Sequence, residues 1–170
     1  MVNKNLILLG MMGVGKSTLG KIVSKRLSLK FIDTDLNIEE KCSMKISEIF
    51  KKKGENFFRL QEEKEVLESL KKSKCIIALG GGAFMNKNIR DAILKNSVSV
   101  WLDINLKTLN KRVKWNKKRP LLNDKNTDEV IKKLYGDRKK IYKLANYKIN
   151  CGNLSKESII KKILIFYEKQ

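Results

Sequence analysis

The chain has 170 residues, 42% of them apolar and 33% charged, and it carries a formal net charge of +20. That length favours one domain with one core. No apolar stretch approaches the 18 residues a membrane span needs, and the apolar run in MVNKNLILLG passes straight into a glycine-rich loop, unlike a signal peptide, so the protein is expected to be cytoplasmic. There is no histidine, which removes Ser-His-Asp and Cys-His triads and histidine metal ligands and leaves acid–base work to carboxylates, lysines or tyrosines. Cys42, Cys75 and Cys151 are odd in number and widely spaced, so disulfides and zinc are poorly supported. The lysines are spread along the whole chain rather than gathered in an arm. That pattern fits a general compositional bias better than a nucleic-acid binder, although a positive surface also attracts anionic substrates.

In chain order, NLILLG (5–10) reads as a buried parallel strand, and Leu19, Ile22, Val23 and Leu27 set a helix from Gly15 to Leu27. KFIDTD (30–35) reads as a second strand. LNIEEKC and KISEIFKKKG read as short helices, the latter stopped by Gly54, with a longer helix over 55–72. CIIAL (75–79) and SVSVWLD (97–103) are strands three and four. Helices follow over 105–114 and 127–145, then a weak strand YKINC (147–151) and a last helix over about 155–168. The alternation predicts a three-layer α/β fold, a five-stranded parallel sheet with helices on both faces. Ligands in such sheets bind at the carboxyl ends of the strands, where Gly10–Gly15, Asp33–Asp35 and Gly80–Gly82 all fall.

Gly10-Met11-Met12-Gly13-Val14-Gly15-Lys16-Ser17 matches G-x-x-x-x-G-K-[ST] at every fixed position. Such a loop curls so that successive N–H groups face an anion, with the positive end of the next helix behind them. Lys16 is placed to reach the β and γ phosphates, and Ser17 to ligate Mg²⁺. The fold is therefore expected to be that of the P-loop NTPases.

In Asp33-Thr34-Asp35 two carboxylates two apart on an extended strand would point to one side. One is suited to support a metal and the other to orient a hydroxyl and take its proton; a solvated turn is the plain alternative. In GENFFRLQEE, Arg59 and Glu62 share a helix face next to Phe57 and Phe58. This suits a ring-bearing carboxylate substrate, or else a surface ion pair. Gly80-Gly81-Gly82 allows close approach of backbone to a ligand. Arg119-Pro120-Leu121-Leu122 lies in a charged stretch, 114–126, expected to form a mobile lid, and Arg138 lies in DRKKIYKLANY.

Together these residues resemble the shikimate kinases. The likeness runs through the phosphate loop, D-T-D, EIF, GENFFR, GGG, RPLL and R-x-x-x-Y-x-x-A, over about 5–147, in order and in spacing. The resemblance implies transfer of the γ-phosphoryl of ATP to the 3-hydroxyl of shikimate, with Mg²⁺ as cofactor and a monomer as the working form. It implies that Gly13, Val14, Gly15, Lys16, Ser17 and Thr18 hold ATP, with Arg112 stacking on adenine, Asn153 beside it and Arg119 reaching in from the lid. Lys16, Asp35 and Arg119 would be catalytic, and Ser17 and Asp33 would hold the metal. Arg59 and Arg138 would clamp the shikimate carboxylate. Gly80, Gly81, Gly82, Glu62, Phe50 and Phe58 would complete a substrate subregion spanning about 34–62 and the glycine turn. The stretch Gly152-Asn153-Leu154-Ser155 lacks the proline that the family often carries there. Rival readings are a gluconate or nucleoside-monophosphate kinase on the same fold, and a non-catalytic nucleic-acid-binding protein. The second leaves the D-T-D and triple-glycine clusters without a purpose.

Overall fold

A computed structural model of the chain describes residues 4–114 and 127–169. Five parallel strands are β1 (Asn5–Leu9), β2 (Lys30–Asp33), β3 (Cys75–Ala78), β4 (Ser97–Asp103) and β5 (Tyr147–Asn150), ordered β2-β3-β1-β4-β5 across one sheet. Seven helices among the described residues flank it: α1 (Lys16–Leu27), α2 (Thr34–Cys42), α3 (Ile46–Leu70), α4 (Lys87–Asn96), α5 (Leu106–Lys114), α6 (Thr127–Tyr142) and α7 (Lys156–Glu168). The predicted α/β fold with its five-stranded parallel sheet is present.

The central strands β1, β3 and β4 are buried at every position, as a sheet covered on both faces requires. Their side chains form the main core with Val23, Phe84, Ile89, Ile163 and others. β1 occupies the middle of the sheet, between β3 and β4. The chain order therefore reverses on either side of it, so the loop leaving β1 opens into a crevice at the carboxyl ends.

A second, smaller core joins α2 to the first half of α3: Ile38, Ile49 and Phe58, with Phe50, Phe57, Met44 and Cys42 against them. It holds up the 34–62 subregion independently of the sheet. Gly54, at φ 83° and ψ 168°, is outside helical geometry and divides α3 at a kink, where the sequence placed the boundary between two helices.

Two expectations are corrected. β2 ends at Asp33 and α2 starts at Thr34, so Asp33 and Asp35 are not alternate residues of one strand. Asp33 is instead the N-cap of α2, its Oδ1 accepting from the backbone N–H groups of Asp35 (3.2 Å) and Leu36 (3.3 Å), and Asp35 lies in the first helical turn. The sequence reading also passed over α4. Asn86 caps it, accepting from Asn88 N–H (2.8 Å) and Ile89 N–H, and Ile89 and Ile93 are buried one turn apart.

Candidate active site

The loop between β1 and α1 turns on glycines at positive φ: Gly10 (140°), Gly13 (78°) and Gly15 (103°). At Gly10 there is no space either, since a Cβ there would lie 2.4 Å from the Leu102 carbonyl oxygen. The N-cap of α1 is Gly15, which has no side chain to cap it, and no acidic residue sits in the first turn, an arrangement whose dipole favours an anion at this end. Lys16 folds back along the loop, its Nζ donating to the carbonyls of Gly10 (2.8 Å) and Met11 (3.1 Å). Ser17 Oγ donates to Asp33 Oδ2 at 2.5 Å, which brings together the two residues expected to hold a metal. Both offer oxygen, the donor type a hard cation such as Mg²⁺ takes, usually with one or two carboxylates and substrate phosphates. No group of three or more carboxylate, histidine or cysteine ligands forms a self-sufficient cage among the described residues. Thr18 is exposed in the first turn of α1, and Arg112 of α5 lies against the loop, 3.4 Å from the Val14 carbonyl.

The middle residue of D-T-D, to which the sequence reading gave no task, ties the two sides together. Buried Thr34 donates to the Ala78 carbonyl (3.3 Å) and accepts from Gly80 N–H (3.2 Å). It thereby fixes Asp35 against the end of β3.

The three glycines that follow β3 each make room for one charged group. A Cβ on Gly80 would lie 2.5 Å from Asp35 Oδ1 and 2.8 Å from Glu62 Oε1. On Gly81 it would lie 3.2 Å from Arg138 Nη1, 3.4 Å from the Met12 nitrogen and 3.7 Å from the Gly10 oxygen. On Gly82 it would lie 2.6 Å from Arg59 Nη1. None of the three has a positive φ, so they are needed for space rather than for conformation. The turn collects Asp35, Glu62, Arg59 and Arg138, and at Gly81 it touches the phosphate loop.

Arg59 lies over the Phe58 ring, 5.2 Å from its centroid, and Phe58 packs on Phe50 at 4.9 Å. Its Nη1 bonds Glu62 at 2.7 Å, and its Nε and Nη2 reach Glu55 at 3.2 and 3.0 Å. Burial pushes the Glu62 carboxyl above its ordinary range, outweighing the pull of Arg59. Burial also opposes the charge on Arg59, but Glu62 and Glu55 outweigh it and its pKa rises. The burial cost thus falls on Glu62, 3% exposed, more than on Arg59, 32% exposed. Arg138 of α6 is buried, and its Nη1 has no hydrogen-bond partner among the described residues. A buried guanidinium nitrogen left so calls for an anionic oxygen.

With this geometry in place, comparison with known proteins is decisive. A family model described as shikimate kinase matches residues 12–168. The chain belongs to the shikimate kinase family. It is 43% identical to a shikimate kinase of Sulfurihydrogenibium sp. (strain YO3AOP1), over 95% of this chain and 96% of that one. It is 39% identical to one of Bacillus subtilis (strain 168), over 92% and 84%. Among solved structures, shikimate kinase from Acinetobacter baumannii in complex with shikimate superposes with a TM-score of 0.93 at 30% identity, covering 98% of this chain and 94% of that one. Shikimate kinase from Aquifex aeolicus gives 0.84 at 34% identity, covering 96% of each. A gluconokinase from Sinorhizobium meliloti, at 0.64 and 12% identity, shares the fold alone. The chain is accordingly a kinase that phosphorylates shikimate at the expense of ATP, in the route to the aromatic amino acids.

For a shikimate kinase the structure adds residues that sequence reasoning gave no role. Arg90 donates from Nη1 to the carbonyls of Phe84 and Met85, both at 3.0 Å, bracing the turn after the glycines. Tyr142 donates to the Gly81 carbonyl. Tyr135 of α6 donates to Asp103 Oδ1 at 3.0 Å, and Lys148 pairs with Asp103 Oδ2 at 2.9 Å. Burial, then the bond to Asp103, raises the Tyr135 phenol to about 12. Asn153 is exposed in the turn after β5, where Gly152 faces the Asn105 side chain at the start of α5. Arg119, with the rest of 115–126, lies outside the described residues.

Proposed function

We propose that the glycine turn after β3 is where donor and acceptor meet, with shikimate held between Arg59 and Arg138 and its 3-hydroxyl facing the γ-phosphate of ATP. The observation that carries this reading is the position of Gly81, which lies against both Arg138 and the backbone of Met12 and Gly10 in the phosphate loop.

The two arginines form the carboxylate clamp, a task suited to planar guanidinium groups, and the Phe50–Phe58 pair forms an apolar wall. Glu62 holds the Arg59 fork in register. Asp35, set at Gly80 by the Thr34 bonds, receives the 3-hydroxyl. The hydroxyl oxygen forms a bond to the γ-phosphorus, the bond from that phosphorus to the β–γ bridging oxygen breaks, and the hydroxyl proton passes to Asp35. Lys16 shifts from the loop carbonyls to the transferring phosphoryl group, whose charge the α1 N–H groups also meet. Ser17 and Asp33 hold Mg²⁺, which supplies charge neutralisation on the β and γ phosphates when bound. Arg112 and Asn153 serve the adenine side, and Arg119 supplies positive charge to the phosphates. Among the described residues no helix is long and apolar enough to cross a membrane. We place the enzyme in the cytoplasm, as a monomer without a nucleic-acid partner.

The test is ADP release by purified protein with Mg-ATP, offered shikimate, gluconate or AMP in turn. Release is expected with shikimate alone; equal turnover with gluconate or AMP, and none with shikimate, overturns the reading. Asn in place of Asp35 is expected to lower kcat by about two orders of magnitude or more while ATP still binds.

A further inference from the structure

The motif R-x-x-x-Y places Tyr142 one helical turn after Arg138 on α6, at the end of the helix, and the reaction scheme above gives it no part. Tyr142 is 1% exposed. Its ring packs against Trp101, centroids 5.8 Å apart. Its hydroxyl donates a hydrogen bond to the carbonyl of Gly81, 61 residues away. Arg138 of the same helix lies against the same glycine, its Nη1 3.2 Å from where a Cβ on Gly81 would stand. Burial holds the phenol at about 12, against the pull of Arg138, so it stays a neutral donor throughout the working range.

The consequence lies on the far side of the peptide. The Gly81–Gly82 bond is trans, so its C=O and N–H point in opposite directions. With the carbonyl held by Tyr142, the Gly82 N–H is turned away from α6, on the residue that abuts Arg59. Among the described residues no acceptor takes that N–H. The neighbouring groups of the turn are held elsewhere, Gly80 N–H by Thr34 and the Gly80 and Gly82 carbonyls by the N–H groups of Ala83 and Met85, which leaves the Tyr142 bond as the tether of the Gly81–Gly82 peptide. Glycine loses more conformational freedom on ordering than any other residue, so a peptide between two glycines turns readily once that tether is removed.

We propose that Tyr142 is a positioning residue for the acceptor substrate: its hydroxyl ties the Gly81–Gly82 peptide to α6, the helix that also carries Arg138, so that the Gly82 N–H and the guanidinium face shikimate at a fixed separation. The proposal rests on the acceptor-site reading above. Because the lock acts on the acceptor half of the site, its removal should be felt in shikimate binding and not in ATP binding.

Phe at position 142 keeps the ring and its packing on Trp101 and removes the hydroxyl. The Y142F enzyme is expected to show a KM for shikimate raised about 5- to 20-fold, a kcat within about threefold and a KM for ATP within about twofold of the unaltered protein. A tyrosine that merely packs would lower the melting temperature and leave the shikimate KM alone; that result, or equal changes in both KM values, overturns the proposal. Fluorotyrosine at position 142 keeps the shape and the donor, and should hold the shikimate KM within about twofold. If it raises KM as phenylalanine does, the hydroxyl bond is not the cause and the proposal fails. Shikimate-independent turnover in the unaltered protein would instead defeat the functional reading, so the two failures are distinguishable.

Discussion

Substitution of Gly82 by alanine tests the packing logic of the site most sharply. The added Cβ would stand 2.6 Å from Arg59 Nη1 and 3.1 Å from Cζ, where ordinary contact begins at 3.4 Å. The guanidinium must therefore retreat by about 0.8 Å. It is the far end of a flexible side chain, one-third exposed, so it can move without dragging the backbone. Retreat stretches the 2.7 Å bond to Glu62 and would shift one jaw of the proposed carboxylate clamp. A misplacement near 1 Å at a positioning group costs up to about a hundredfold in rate. We expect kcat/KM for shikimate to fall about 10- to 100-fold, equivalent to about 1.4–2.8 kcal/mol, with KM for ATP within about twofold. Calorimetry should show a melting point lowered by no more than about 4 °C, because the strain is relieved at the surface end of the arginine. Steady-state assays with each substrate varied in turn decide the matter. A G82A enzyme with near-normal kcat/KM for shikimate would show that Arg59 is not held where it works, and the clamp argument would fall.

Other outcomes follow from the same geometry. D35N should bind ATP normally by calorimetry yet turn over at least about a hundredfold more slowly; a near-normal kcat would remove Asp35 as proton acceptor. Replacing Arg59 with methionine leaves Glu62 buried without its partner. Burial already raises the folded-state pKa of Glu62 above 4.5, so its ionised form costs stability, and that cost grows as pH rises through the folded value. The gap in melting temperature between the unaltered protein and R59M should therefore widen from about pH 4 to pH 7; a gap independent of pH refutes the assignment. Gly136 on α6 is the contrasting case, since a Cβ there would meet nothing within 4 Å. G136A should gain about 0.5–1 kcal/mol in denaturant unfolding, and a loss would mean the surrounding space is not free.

How much of the site the sequence disclosed depended on how local its causes are. The curled loop after β1 was legible because its glycines, Lys16 and Ser17 fall within eight consecutive residues and the glycines act through their own backbone, at positive φ. The break at Gly54 was legible, because glycine alone marks it; the shared core of Ile38, Ile49 and Phe58 that packs the segments on either side together was not. Asp33-Thr34-Asp35 was misread in geometry for a physical reason. Whether the strand continues past Asp33 is decided by Thr34, whose bonds go to Ala78 and Gly80, more than forty residues away. Helix α4 had signals in Asn86, Ile89 and Ile93, and they went unused.

Tyr142 and the glycine turn carry the same lesson further. The motif around Tyr142 was visible as letters, but its partner Gly81 lies 61 residues upstream, and no periodicity joins them. Three consecutive glycines suggested close approach to a ligand. The structure shows that protein groups already fill the space their missing side chains leave: Asp35 and Glu62 at the first, Arg138 at the second, Arg59 at the third. Two carboxylates and two guanidinium groups are thereby packed against one short turn without intervening methyl groups, and the opposed charges offset much of the repulsion that like charges at such distances would impose. On the proposed reading, these groups would present cations to the substrate carboxylate and a carboxylate to its hydroxyl, beside the phosphate loop. The choice of a polyhydroxy acid acceptor would then follow from what the glycines admit, because a side chain at any of the three positions would crowd a charged group before it met the substrate.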